Sequence, residues 1–266
     1  MSSIPMDTAV PAYREAGNGD TAVILLHGVG GGSSVWSPQM KALAEAGYRA
    51  IAWDMPGYGG SAPVAPYTMA ALADAVLALI RHVNAARTVL VGHSMGGMVV
   101  QETLARAPGC TQALVLVGTS AAFGKPGGEW QQRFLDDRLA PLRAGKSMAE
   151  LAEQLVPAMT TAAADPAGIA QAKAAMGAVP AATYEAALRA LAGFDRRAAL
   201  PAIDVPTLCI VGEFDNAAPP SVMRGLAERI RGARFEQIDG VGHLTPMEAP
   251  AAFNASLLRF LKEALA

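Results

Sequence analysis

The 266-residue chain balances 21 Lys and Arg against 23 Asp and Glu, a formal net charge of -2, which leaves no broad basic face to follow a phosphate backbone and excludes nucleic acid as an expected partner. Its length can bury a full core, and one α/β domain with an insertion fits as well as two small domains. The opening Met1-Ser2-Ser3-Ile4-Pro5-Met6-Asp7 lacks the basic start and apolar run of a signal peptide, and the best candidate membrane span, Met69 to Ile80, is short and carries Asp74, so a soluble cytoplasmic protein with no membrane partner is expected.

In chain order, Ala12 to Ala16 reads as a short strand and Gly17-Asn18-Gly19-Asp20 as a turn. Thr21 to Leu26 is a continuous apolar run that opens into His27-Gly28-Val29-Gly30-Gly31-Gly32, the pattern of a buried parallel strand entering a flexible loop. A phosphate cradle would need a Gly-Lys-Ser/Thr or a third glycine at position 33, where Ser33 stands, so no cofactor is expected. Ser37-Pro38 starts a helix through Met40 and Leu43 that Gly47 stops, and Tyr48 to Trp53 returns as a strand. The turn-rich Asp54 to Ser61 follows, and Thr68 opens a helix with Leu72, Val76, Leu79, Ile80 and Val83 on one face.

Val89-Leu90-Val91 then runs into Gly92-His93-Ser94-Met95-Gly96, a Gly-x-Ser-x-Gly pentapeptide between a strand and an apolar helix containing Met98, Val99 and Leu104. So tight a turn strains the central residue and projects the Ser94 hydroxyl from the sheet's carboxyl edge, at a helix N-terminus that favours negative charge. This is where an acyl-transfer nucleophile belongs. Ala113 to Val117 is another apolar strand, and the alternation of strand and helix predicts an α/β fold with a doubly wound, mostly parallel sheet.

The alternation breaks at Thr119. From Ala122 to about Arg197 the sequence is rich in alanine and helix formers, divided by Pro126, Pro141, Pro157, Pro166 and Pro180 into helices near Glu129 to Arg143, Ser147 to Val156, Pro166 to Met176 and Ala181 to Gly193. An all-helical insertion cannot extend the sheet and is expected to sit as a cap over its carboxyl edge. The expected organisation is therefore core (1–121), helical cap (122–197) and core again (198–266).

Strand character resumes from Pro206 to Val211, ending at Gly212-Glu213-Phe214-Asp215; Pro219-Pro220-Ser221 starts a helix through Leu226 and Ile230, and Arg234 to Ile238 forms the last strand. Asp239-Gly240-Val241-Gly242-His243 and a closing amphipathic helix with Phe253, Leu257, Phe260 and Leu261 complete the chain. Cys110 and Cys209 have no metal-ligand spacing and read as reduced packing cysteines; no metal site is expected.

Ser94, Asp215 and His243 thus close successive strands in one order. Serine is a weak nucleophile at neutral pH and needs an imidazole in reach, which in turn needs a carboxylate to fix its tautomer. The Val29 and Met95 N–H groups could both aim at a developing oxyanion. Glu213 and Asp54 are rival carboxylates, read as a surface group and a structural turn residue. His27 begins the glycine loop, His82 lies near a helix end and His93 flanks the serine, which leaves His243 as the base.

Here the chain resembles the α/β-hydrolase fold superfamily, through His27-Gly28 with Trp36 downstream, Asp54-x-x-Gly57-x-Gly59-x-Ser61, Gly92-His93-Ser94-Met95-Gly96-Gly97, Gly212-x-x-Asp215 and Gly242-His243. The resemblance covers nearly the whole chain, with the cap its least specific part. Serine at position 94 argues against the dehalogenase and epoxide-hydrolase branches, which need a carboxylate nucleophile. The layout is most similar to 3-oxoadipate enol-lactonases, small-molecule esterases and hydrolases that cleave carbon–carbon bonds of ring-fission products; cofactor-free haloperoxidases share the triad. The resemblance implies hydrolysis of a small carboxylic ester or lactone through an acyl-enzyme, and a ligand receptor of the same fold is the alternative outside catalysis. In the cap, Trp130 and Phe134 are candidate pocket residues, and Arg133 or Arg138 could meet the carboxylate that an enol-lactone of a dicarboxylic acid carries.

Overall fold

A computed structural model describes residues 8–124 and 128–266; the reading of the N-terminal heptapeptide and the role given to Pro126 lie outside them. The described strands are β1 (Tyr13–Ala16), β2 (Thr21–Leu26), β3 (Arg49–Trp53), β4 (Arg87–His93), β5 (Ala113–Val117), β6 (Thr207–Gly212) and β7 (Arg234–Ile238). They form one sheet in the order β1-β3-β2-β4-β5-β6-β7, with β1 antiparallel to β3 and every other pairing parallel. β2, β5 and β6 are buried at every position, as continuous apolar runs covered on both faces must be, while the outer strands β1 and β7 are partly exposed.

Helices α1 (Ser37–Glu45), α2 (Met69–Val83) and α3 (Met95–Arg106) follow β2, β3 and β4. The Thr68 hydroxyl accepts from the Ala71 N–H at the start of α2, and Asn84 in a left-handed conformation ends it. A cap of this kind contributes about 1 kcal/mol. After β6 come α8 (Pro220–Ala227), α9 (Thr245–Glu248) and α10 (Pro250–Ala264), the last packed on α1. Several details differ from the sequence reading, among them Pro141 and Pro157, which lie inside helices rather than dividing them. α8 ends at Ala227, and Ile230 is buried from a following turn that Gly232, at φ 74°, redirects. The short α9 carries too little apolar periodicity to be seen in advance.

Between β5 and β6 lie α4 (Glu129–Arg143), α5 (Met148–Ala158), α6 (Pro166–Gly177) and α7 (Ala181–Ala192). Their stops and starts follow local chemistry: Ser147 and Glu150 form a reciprocal capping box on α5, and Asp165 caps α6 ahead of Pro166. The chain leaves and rejoins the sheet layer through one neck, where the Phe123 N–H donates to the Phe194 carbonyl at 2.9 Å and the Arg196 N–H to the Ala121 carbonyl at 2.7 Å. α5 packs on α6, α4 on α7, and α6 against α9. That last contact is close enough that a Cβ on Gly168 would stand 1.9 Å from the Met247 carbonyl oxygen.

Candidate active site

Ser94 sits between β4 and α3 at φ 53° and ψ −119°, a conformation that costs a residue with a Cβ on the order of 1–3 kcal/mol. The strain is held from both sides: the Ser94 N–H donates to the Val117 carbonyl at 2.9 Å, and the Thr119 hydroxyl donates to the Ser94 carbonyl at 2.7 Å. Strand and helix approach so closely that a Cβ on Gly92 would lie 2.6 Å from the Gly96 oxygen, and one on Gly96 would lie 2.3 Å from the Leu26 oxygen. Both positions therefore require glycine.

The loops after β6 and β7 bring the two other expected residues to the same place. Ser94 Oγ lies 3.1 Å from His243 Nε2, and His243 Nδ1 lies 2.9 Å from Asp215 Oδ2. An ionised carboxylate only accepts, so Nδ1 carries the proton and Nε2 is left as the acceptor for the Ser94 hydroxyl. Asp215 is 3% exposed. Burial alone would push its carboxyl up, but the His243 imidazole and the Ala218 and Ala217 N–H groups hold it below the usual aspartate value. The rival carboxylates are engaged elsewhere: exposed Glu213 accepts from the Gly240 N–H, and Asp54 accepts from the Ser33 N–H at 2.7 Å, bracing the glycine loop.

His27 orients that loop. Its Nε2 accepts from the Met55 N–H at 3.0 Å, so its Nδ1 must be the donor to the Gly28 carbonyl at 2.8 Å. In a trans peptide the next N–H, that of Val29, then points the opposite way, away from His27. Gly28 stands beside the serine, where a Cβ would come 3.0 Å from Ser94 Cβ. Among the described residues, neither the Val29 N–H nor the Met95 N–H donates to another protein group. Burial lowers His27 to about 4, which keeps the imidazole in the neutral form this arrangement needs.

A narrow cavity of about 60 Å³ lies over Ser94. The sheet edge contributes Gly28, Val29, His93, His243 and Leu244, and the inserted helices contribute Arg138, Val156, Met159, Ala172, Met176 and Tyr184. His93 donates its Nε2 proton to the His243 carbonyl at 2.9 Å, and burial, with the neighbouring His243, lowers it to about 3.

The reading of the cap's pocket residues is corrected. Trp130 and Phe134 do not line the cavity; with Phe123 they form an aromatic cluster whose ring centroids lie 4.8–5.9 Å apart, and Trp130 is 54% exposed. Residues 130, 134 and 138 lie four apart on one stripe of α4, and it is Arg138, stacked 5.3 Å over the Phe134 ring, that reaches the cavity. Arg133 points to the exposed side. Tyr184, at the start of α7, was not singled out from sequence; its hydroxyl contacts Arg138, and burial raises its pKa. Glu248, buried beside His243, was also missed.

Hydroxyl, imidazole and carboxylate in hydrogen-bonded series, at the carboxyl edge of a doubly wound sheet and under inserted helices, define a class: hydrolytic enzymes of α/β architecture. The chain belongs to the alpha/beta hydrolase fold family, whose model matches residues 21–250. It is 34% identical over 246 residues to RutD of Variovorax paradoxus (strain S110), whose name proposes carbamate hydrolysis, covering 90% of this chain and 91% of the relative. Among solved structures it is similar to the enol-lactonase from Burkholderia xenovorans LB400, with 30% identity, a TM-score of 0.83 and coverage of 94% and 96% of the two chains. A thermophilic esterase from Thermogutta terrifontis is 27% identical with a TM-score of 0.86, covering 95% of this chain and 93% of its own.

Among the described residues no helix is long and apolar enough to cross a membrane, and no three His, Cys, Asp or Glu side chains form a metal-binding group.

Proposed function

We propose that the protein hydrolyses a small carboxylic ester or lactone through an acyl-enzyme on Ser94. The observation that carries the reading is the series Ser94 Oγ to His243 Nε2 at 3.1 Å and His243 Nδ1 to Asp215 Oδ2 at 2.9 Å. As the hydroxyl attacks the substrate carbonyl, His243 takes its proton, and Asp215 stabilises the imidazolium. The Val29 and Met95 N–H groups receive the developing oxyanion, to which they bring no competing acceptor. The imidazolium then protonates the departing oxygen, which in a lactone stays tethered to the acyl group. Water, activated by the same imidazole, releases the acid and restores Ser94.

Residues 122–197 serve as the cap, and the narrowness of the cavity beneath them favours short acyl groups. A second reading, a lactone that itself bears a carboxylate, is favoured by Arg138 and Tyr184, a cation and a hydroxyl among the otherwise apolar side chains (Val156, Met159, Ala172, Met176) that the inserted segment brings to the cavity. A carbamate would follow the same steps through a carbamoyl-enzyme. The test is a series of p-nitrophenyl esters from acetate to palmitate beside a carboxylated lactone. Acetate or butyrate is expected to exceed palmitate. Best activity on palmitate would overturn the small-substrate reading, and a carboxylated lactone turned over far faster than every neutral ester would establish the second.

A further inference from the structure

The backbone around His243 is satisfied group by group from separate parts of the fold. The His243 N–H donates to the Met159 carbonyl at 2.8 Å, between α5 and α6, and the His243 carbonyl accepts from His93. The flanking N–H groups of Gly242 and Leu244 both donate to the Glu248 carboxylate, at 2.9 Å to Oε2 and 2.9 Å to Oε1. Glu248 Oε2 is shared: it also accepts the Thr161 N–H, from the same inserted segment, at 3.0 Å. That segment is held further by the Asp165 N–H on the Glu248 carbonyl and by the Thr161 hydroxyl on the Gly240 carbonyl.

Glu248 is 3% exposed, and no Lys or Arg pairs with it among the described residues. Burying a carboxylate without a counter-ion is costly, and three convergent backbone donors are what make the ionised form tolerable there. A surface glutamate at the end of a four-residue helix would not need them. The carboxylate is therefore built into the site, with one oxygen joining the loop of the imidazole to the inserted helices.

We propose that Glu248 is a positioning residue for His243: its carboxylate ties the segment between α5 and α6 to the loop that carries the imidazole, so the insertion aims the base as well as covering the cavity. This rests on the hydrolase reading above. The groups facing His243 are His93 from the end of β4 and Ser94 from the turn after it, Asp215 from the loop after β6, Glu248 from α9, and Arg138 across the cavity. Glu248 places a second negative charge near the imidazolium that forms during turnover, so removing it withdraws stabilisation from the charged imidazole. Burial itself raises the Glu248 carboxyl above the ordinary glutamate value, against the pull of the Gly242, Thr161 and Leu244 N–H groups.

The test uses the full chain and an activated short ester, after Ser94→Ala has been shown to abolish turnover; if Ser94→Ala keeps its activity, the hydrolase reading fails before Glu248 is examined. Glu248→Gln preserves volume but turns an NH2 toward backbone N–H donors. In the folded variant kcat is expected to fall about 10²-fold, the scale of an ångström's misplacement at a reacting group, with KM held within about twofold. The acid limb of kcat/KM should move to lower pH. Wild-type kcat and an unmoved limb overturn the proposal, and so does a fall in kcat without the shift, which would make Glu248 a brace and nothing more. Should the Gln variant not fold, Glu248→Asp keeps the charge while withdrawing it by one methylene. It should lose about tenfold in kcat with the limb in place, and full kcat in that variant overturns the proposal as well.

Discussion

Along the carboxyl edge of the sheet, Ser94, His27 and His243 are each fixed by backbone hydrogen bonds, from neighbouring strands and loops and, for His243, also from Met159 of the inserted segment. The inserted helices reach the same cavity with Arg138, Val156, Met159, Met176 and Tyr184, most of them apolar side chains set by helix packing. The edge holds its groups to the tolerance that proton transfer needs, and the helices shape what fits above them. Substitutions at the edge should therefore cost orders of magnitude in rate, while those in the helices should change preference among substrates.

The largest expected effect lies at the edge. Ser94→Ala removes a small hydroxyl from a partly exposed turn, so thermal stability should change little, while kcat falls about 10⁶-fold on the precedent of subtilisin. Retained turnover would erase the distinction between the two regions. Asp215→Asn should cost about 10⁴-fold in kcat by analogy with trypsin, because an amide no longer fixes the His243 tautomer. Its control is Glu213→Gln, which should be silent; the reverse order of effects would give the acid's role to Glu213.

The buried histidines of the edge set the next effect, on stability. The folded protein lowers His27 to about 4 and His93 to about 3, against 6.5 for the ordinary side chain. Between those values and 6.5 the unfolded chain binds the extra protons, so their cost to the folded state appears as pH drops below 6.5 and is absent above it. At pH 5 the pair should cost about 4 kcal/mol, a fall in Tm of about 10 °C relative to pH 7.5. His93→Asn should shrink that difference whatever its own stability; an undiminished dependence would mean that other groups carry it.

The smallest effects belong to the helices. Arg138→Ala should lower kcat/KM about 10- to 100-fold on a carboxylated lactone, the worth of one charge-assisted hydrogen bond, and leave neutral esters nearly unchanged. Trp130→Ala should stay within about twofold on every substrate, since that ring lies outside the cavity. Equal effects of the two substitutions would show that α4 sits otherwise.

The same contrast explains what could be read from the sequence. Strands β2 and β5 coincide with the continuous apolar runs at Thr21–Leu26 and Ala113–Val117, because a parallel sheet's burial is written into local composition, and the partly exposed β7 falls at Arg234–Ile238 as expected. That Ser94, Asp215 and His243 meet at one edge of the sheet was legible because each follows the end of a parallel strand. The inserted helices were legible as helices, since Pro166 and the Ser147 capping box are local signals. Which end of the Trp130, Phe134, Arg138 stripe meets the cavity was not, because helix periodicity fixes a face and says nothing of where along it the neighbour lies. Glu248 was invisible for a related reason: its donors at Thr161, Gly242 and Leu244 are backbone groups, and any residue would supply them.

The central claim, that Ser94 is the nucleophile set by His243, is tested most directly by titration with an alkyl fluorophosphonate, followed by intact-mass measurement and peptide mapping. One phosphonyl group per chain on the peptide containing Ser94, with activity lost in proportion and labelling slowed severely in His243→Ala, is the result expected. Complete inactivation with the label on another residue, or full activity with Ser94 occupied, would contradict it.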